Sequence, residues 1–151
     1  MSELPALPRT WRPFGTLMVA TLGGLMLAAV VVTGWFAVEQ DVRDAFTTFQ
    51  RLTLLAMALG VLCCWWALLR TRVTAAESGL TVVNGFRTRR FEWSQVLGVN
   101  LRRGAPWAGV DLSDGTSIIA FAIQATDGDR AVAAVRTLRA LIVAHTPDTP
   151  S

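Results

Sequence analysis

Two stretches of the chain, Phe14 through Val38 and Leu52 through Leu69, contain no Asp, Glu, Lys, Arg, His, Asn or Gln. Continuous apolarity of this kind predicts helices that are hydrophobic on every side. At about 1.5 Å rise per residue, the first stretch crosses a hydrocarbon layer of roughly 30 Å with some tilt. The second is near the lower limit, with Thr53 and Arg70 placed to sit at the interface. A buried helix of a soluble domain is usually shorter and keeps a polar stripe, so the pattern predicts a two-helix transmembrane hairpin. The expected division is an N-terminal tail (1–13), a first membrane helix (14–38), a connecting loop (39–51), a second membrane helix (52–70), a folded domain (71–146) and a disordered tail (147–151).

Beyond residue 70 the pattern becomes interrupted. Thr71, Val73 and Ala75 alternate as a short strand, Glu77-Ser78-Gly79 reads as a turn, and Leu80–Val83 as a second strand. Asn84-Gly85 is a strong hairpin signal, because the pair tolerates positive backbone angles, and it joins that strand to one around Arg87–Trp93. Three alternating triplets follow: Leu97, Val99 and Leu101; Ala108, Val110 and Leu112; Ile119, Phe121 and Ile123. Gly104-Ala105-Pro106 and Asp114-Gly115 separate them, and each triplet is expected to supply one buried face of an antiparallel sheet. The period then changes. Thr126 and Asp129 fit a capping-box start, and Val132, Val135, Leu138 and Ile142 form a helical stripe with Arg130, Arg136 and Arg139 left to water. The predicted fold class is thus a transmembrane hairpin plus an α+β domain, a bent antiparallel sheet or partial barrel capped by a C-terminal helix.

Charge gives this layout an orientation. All 14 basic residues are arginine and the net charge is +3, which does not supply the dense basic face of a nucleic-acid binder. Arg9, Arg12, Arg70 and Arg72 flank the spans outside, whereas only Arg43 and Arg51 lie in the connection. The positive-inside rule therefore places both termini and the folded domain in the cytoplasm, with the protein in the plasma (inner) membrane. Trp11, Trp35, Trp65 and Trp66 suit the interfacial aromatic belts. A cleaved signal peptide is the rival reading of the first span. Its apolar region would be too long, and Gly34-Trp35-Phe36-Ala37 is a poor cleavage site. Ala20, Gly24 and Ala28 recur on one face of the first span, and Ala56 and Gly60 on the second, a small-residue spacing that predicts packing between the two helices.

Chemistry is sparse. Cys63 and Cys64 are adjacent inside an apolar run, without the His or Asp that a metal site would need, and read as packing residues. His145 is the only histidine, and its place at the end of the last helix reads as a solvated position. Asp111 and Asp114 flank a turn in which Asp is expected. No motif for a nucleophile, phosphate loop, metal or cofactor is present, so neither catalysis nor a cofactor is expected. The polar constellation that stands out is Arg87, Arg89, Arg90, Arg102 and Arg103, near the aromatics Phe86 and Trp107. Arg87 and Arg89 share strand parity with Phe91 and Trp93, so all five converge only if the strand twists or bulges. Trp93 is expected in the core and Trp107, following Pro106, in a more exposed position.

Residues 79–84 (Gly-Leu-Thr-Val-Val-Asn), 90–96 (Arg-Phe-Glu-Trp-Ser-Gln-Val) and 112–116 (Leu-Ser-Asp-Gly-Thr) together resemble the bacterial PH-like domains of actinobacterial membrane proteins. Among these they resemble the low-molecular-weight protein antigen family. The resemblance covers roughly residues 72 to 123. It implies a bent sheet plugged by a helix, agrees with two upstream spans, and carries over no catalytic residue. The expectation is a non-catalytic, membrane-anchored module. It would bind a protein partner or the anionic phospholipid surface through the arginines and Trp107. The alternative is a small accessory subunit of a larger membrane transporter or cell-envelope enzyme, bound through the small-residue faces to a membrane-protein partner.

Overall fold

The computed structural model describes residues 6–145. They form an apolar helical unit, residues 16–69, and a β-rich unit built from the chain on both sides of it, up to Gly15 and from Arg70 onward. In the helical unit α1 (Phe14–Ala37) and α3 (Thr48–Arg70) flank a short α2 (Gln40–Asp44). Both long helices have the length and hydropathy of a membrane span, and neither has a buried residue. Two of their hydroxyls are satisfied locally: Thr33 Oγ1 donates to the Ala29 carbonyl at 2.7 Å and Thr53 Oγ1 to that of Phe49 at 2.9 Å. The segment 39–51, expected as a loop, is partly helical. α3 begins ahead of the apolar run because Thr47 and Gln50 cap it reciprocally. The Gln50 amide donates to Thr47 Oγ1 (3.3 Å), and the Thr47 amide donates back to Gln50 Oε1 (2.9 Å). These are polar residues, invisible to a hydropathy boundary.

The β-rich unit has two antiparallel sheets. The first runs in the order β1 (Arg9–Trp11), β2 (Arg72–Ala76), β3 (Gly79–Asn84), β4 (Arg87–Phe91); the second is β5 (Val96–Asn100), β6 (Trp107–Leu112), β7 (Ser117–Gln124). β7 packs against β2 and β3, and α4 (Asp129–His145) packs against β5 and β7. Val73, Leu80, Val82, Val96, Val110, Leu138 and Leu141 are fully enclosed in the shared core.

The N-terminal tail of the sequence reading is in part a strand. β1 pairs with β2 in the register Arg9↔Ala75, Thr10↔Thr74, Trp11↔Val73, and the two threonine hydroxyls hydrogen-bond at 3.0 Å. A three-residue strand between Pro8 and Pro13 has no alternation to betray it, and its partner lies beyond two helices in sequence. The tail 147–151 lies outside the described residues.

Further expectations are corrected. In β7 the buried side chains are Ile118, Ala120, Ala122 and Ile123, while Ile119 and Phe121 are exposed; in β5 Val96 and Val99 are buried and Leu97 is exposed. Register shifts between Val96 and Gly98, and between Trp107 and Ala108, break simple alternation. The terminal helix starts at Asp129, because Gly128 adopts φ 56° after a 3₁₀ turn (Ala125–Asp127) and its carbonyl accepts from the amides of Ala131 and Val132. Its buried face is Ala131, Ala134, Val135, Leu138, Leu141 and Ile142, with Val132 exposed. Of the arginines left to water, Arg139 is also tied down: its Nε donates to the Val99 carbonyl at 2.7 Å. His145 is not simply solvated. Its ring stacks on Trp93 at 4.9 Å between centroids, and Nδ1 lies 2.8 Å from the Leu141 carbonyl.

Candidate functional site

The β3–β4 turn is a two-residue loop, Gly85-Phe86, between the paired Asn84 and Arg87. Glycine in the first loop position takes φ 62°, which matches strand twist in the tightest hairpins. It leaves Phe86 60% exposed. Arg87, Arg89 and Arg90 follow on β4, the outer strand of its sheet, and all three are exposed. Pairing sets their faces: Arg89 opposes buried Val82, whereas Arg90 opposes Thr81. Arg87 and Arg89 therefore share one face and Arg90 the other. Arg102 and Arg103 project from the β5–β6 connection, which tightens through an Ala105 amide to Arg102 carbonyl bond of 3.0 Å. Trp107, at the end of that connection, is partly exposed and packs on Phe121 at 5.1 Å between ring centroids.

Asn84 does more than initiate a turn. Its Nδ2 donates to the Ile119 carbonyl and its Oδ1 accepts from the Phe121 amide at 3.1 Å. One side chain thus satisfies the outer edge of β7 as a neighbouring strand would, and it ties the two sheets together beside the aromatic pair. At the same level the Gly85 amide donates to Thr71 Oγ1 at 3.2 Å, immediately before β2.

Hydrogen bonds place the other chain crossing at this end as well. The Ala125 amide donates to the Pro106 carbonyl at 3.0 Å, and two residues later Asp127 Oδ1 accepts from the Gly15 amide at 2.9 Å. Both points where the chain passes to the apolar helices, Gly15 and Arg70, therefore adjoin the end of the domain that carries Phe86, Trp107 and Phe121. The opposite end carries the Glu77-Ser78 and Asp114-Gly115 turns. Next to Gly15 a cavity of about 400 Å³ opens between β1 and the start of α4, lined in part by Arg9, Trp11, Arg12, Phe14, Asp127 and Arg130. The Arg130 guanidinium carbon lies 4.2 Å from the centre of the Phe14 ring, and that of Arg9 lies 5.8 Å from Trp11. Sequence reasoning registers Arg9 and Arg12 only as topology signals, since nothing in the chain connects residue 9 with residue 130 before β1 is placed.

The small-residue faces are open. A Cβ added at Gly24 or Gly60 would meet no atom within 4 Å outside its own helix, and Ala28 and Ala56 are exposed, with Ala20 half-buried. At neither glycine of the expected packing faces does the other helix come within 4 Å of that position. Among the described residues, no three His, Cys, Asp or Glu side chains gather as metal ligands.

Seven antiparallel strands in a four-plus-three arrangement, closed by a C-terminal helix, define a PH-like domain. Residues 70–141 match the sequence profile of the bacterial PH domain, which covers β2 through most of α4 but not β1. Over 96% of its length the chain is 36% identical to uncharacterised proteins of Mycobacterium tuberculosis and Mycobacterium bovis, covering 97% of each. The chain belongs to one family with these mycobacterial proteins, and its residues 70–141 carry a bacterial PH domain. No solved structure matches it.

Proposed function

We propose that this protein is a non-catalytic membrane module: two spans in the plasma (inner) membrane carry a cytoplasmic PH-like domain whose arginines contact the anionic lipid surface. The observation that carries the reading is the placement of the insertion. Two apolar helices without a buried residue leave and rejoin the domain at one end. Only a lipid phase or another membrane protein covers so much apolar surface. Near an anionic leaflet an exposed arginine contributes on the order of 1 kcal/mol of attraction. Arg87, Arg102 and Arg103 belong to loops or strand ends next to the exposed aromatics, an arrangement that suits an interface. Arg89 and Arg90 extend the charge along β4. The motifs at residues 79–84 and 90–96 support kinship with the low-molecular-weight protein antigen family as part of the same proposal.

The test uses the intact protein, because β1 and β2 flank the spans and a chain begun at Arg70 lacks a strand. In nanodiscs of phosphatidylcholine with added phosphatidylglycerol, amide exchange at Gly85–Arg89 and Arg102–Trp107 is expected to slow relative to phosphatidylcholine alone. Replacing the five arginines with glutamine should abolish that difference. Equal protection in both lipids for the wild-type chain would refute the lipid contact.

The open glycine faces favour a second reading, an accessory subunit docked to a larger transporter or envelope enzyme. Gly24→Leu and Gly60→Leu would then remove a stoichiometric partner from cross-linked, detergent-purified material, and the arginine changes would not.

A further inference from the structure

The cavity beside Gly15 is the feature of the molecule that the arginine surface on β4 does not account for. Its walls come from two distant parts of the chain: β1 with the segment leading to α1, and the end of β7 with the 3₁₀ turn and the first turns of α4. At about 400 Å³ it lies within the roughly 300–1,000 Å³ range of small-ligand sites. Three of its lining residues are arginines and one is an aspartate. Asp127 is already engaged, its Oδ1 accepting the Gly15 amide, which holds the α4 side of the cavity to the residue where the apolar run begins. Among the described residues, no ion pair joins Arg9, Arg12 or Arg130 to a carboxylate. Arg130 and Arg9 are instead held over aromatic faces, Phe14 and Trp11. Such contacts restrict a guanidinium while leaving its N–H groups free to donate. The cavity thus offers forked donors and an excess of positive charge, the chemistry that selects a phosphate.

Chain position supplies the source of that phosphate. Phe14 lines the cavity and is also the first residue of the apolar run, so with α1 spanning the bilayer as proposed above, Arg12 and Pro13 would fall at the level of its headgroups. We propose that this cleft is a binding site for the phosphate of an anionic phospholipid of the same bilayer, recognised by Arg9, Arg12 and Arg130. The inference rests on the membrane reading above but not on the β4 arginines. It makes the lipid a ligand held between β1 and α4 rather than a diffuse surface.

Native mass spectrometry of the intact, detergent-purified protein tests it, with phosphatidylglycerol, phosphatidylcholine and glycerol 1-phosphate as separate probes. Phosphatidylglycerol is expected to be retained over phosphatidylcholine. The triple change Arg9→Gln, Arg12→Gln and Arg130→Gln should weaken that retention by on the order of tenfold or more. The matching triple Lys variant, which keeps the charge, should recover part of it and so separates loss of the site from loss of fold. Changing Arg87, Arg89, Arg90, Arg102 and Arg103 to glutamine should leave the tightest-bound lipid in place. Equal retention by the glutamine triple, or equal retention of the two lipids, overturns the site. Displacement of the lipid by equimolar glycerol 1-phosphate overturns the lipid assignment in favour of a soluble phosphate. Vesicle flotation separates the two levels of failure. A protein that floats with neutral vesicles but shows no cleft-dependent lipid keeps the membrane reading and loses the site, whereas one that does not float loses both.

Discussion

The pair of hydrogen bonds from Asn84 to the edge of β7 carries a cost that can be measured. Substituting Asn84→Ala removes both bonds and leaves the Phe121 amide and Ile119 carbonyl without their partner. At about 1 kcal/mol net per bond the domain should lose about 1–2 kcal/mol. Thermal unfolding read by tryptophan fluorescence would show this, with faster amide exchange at Phe121. An unchanged transition would mean that water replaces the side chain without loss. Asp114 gives a prediction in pH. The Thr116 hydroxyl donates to its Oδ1 at 2.7 Å and the Thr116 amide at 2.9 Å, and these bonds hold its carboxyl below the ordinary value of 3.8. The folded form therefore favours the carboxylate. The associated stability is complete above the unfolded value and fades as pH falls through the folded one. An NMR titration should place the Asp114 midpoint below 3.8, and Thr116→Val should raise it. A midpoint at the ordinary value in the wild type would contradict the turn geometry.

Elements were legible in proportion to how local their signals are. The apolar helices, the Gly85 and Gly115 turns and the buried face of β6 follow from neighbours in sequence, and the structure contains them. The burial of β5 and β7 did not follow, because register shifts at Val96–Gly98 and Trp107–Ala108 move side chains between faces without changing composition. β1 was illegible for a different reason. Three residues become a strand only when β2 is beside them, and β2 lies beyond both apolar helices. The cleft was lost with it, whereas the arginines of β4 could be named from sequence but not assigned to faces until the pairing with β3 was known. The start of α3 shows a polar signal outweighing a hydropathy boundary, and it predicts that Thr47→Ala frays the first turn. The cost should be about 1 kcal/mol, read as faster exchange of the Gln50 and Arg51 amides while the middle of the helix is unchanged. Uniform exchange across α3 in both proteins would show that the cap is dispensable.

At the scale of the molecule, the PH-like domain is a single core divided in sequence by an insertion. The buried cluster runs from Val73 to Ile142, and Leu7 and Trp11 pack against it from the other side of the apolar helices; no residue of 16–69 belongs to it. The strands on either side of the insertion are hydrogen-bonded neighbours, with Trp11 opposite Val73, so the chain ends left by removing 16–69 belong to one hairpin. Hairpin connections are short, and a Gly-Ser linker of about five residues between Gly15 and Arg70 should close β1 onto β2. The expected product is water-soluble, with a dispersed amide spectrum and slow exchange at Val73 and Trp11. It should keep the Gly15–Asp127 bond that shapes the cleft. A chain begun at Arg70 tests the converse. It retains the residues matched by the bacterial PH profile but lacks β1, leaving the β2 edge open and Trp11 missing from the core margin. It should unfold at lower temperature than the joined form and associate through the exposed edge. Equal stability of the two would reduce β1 to an ornament of the fold. Failure of the joined form to fold would make the apolar helices part of the domain rather than its anchor.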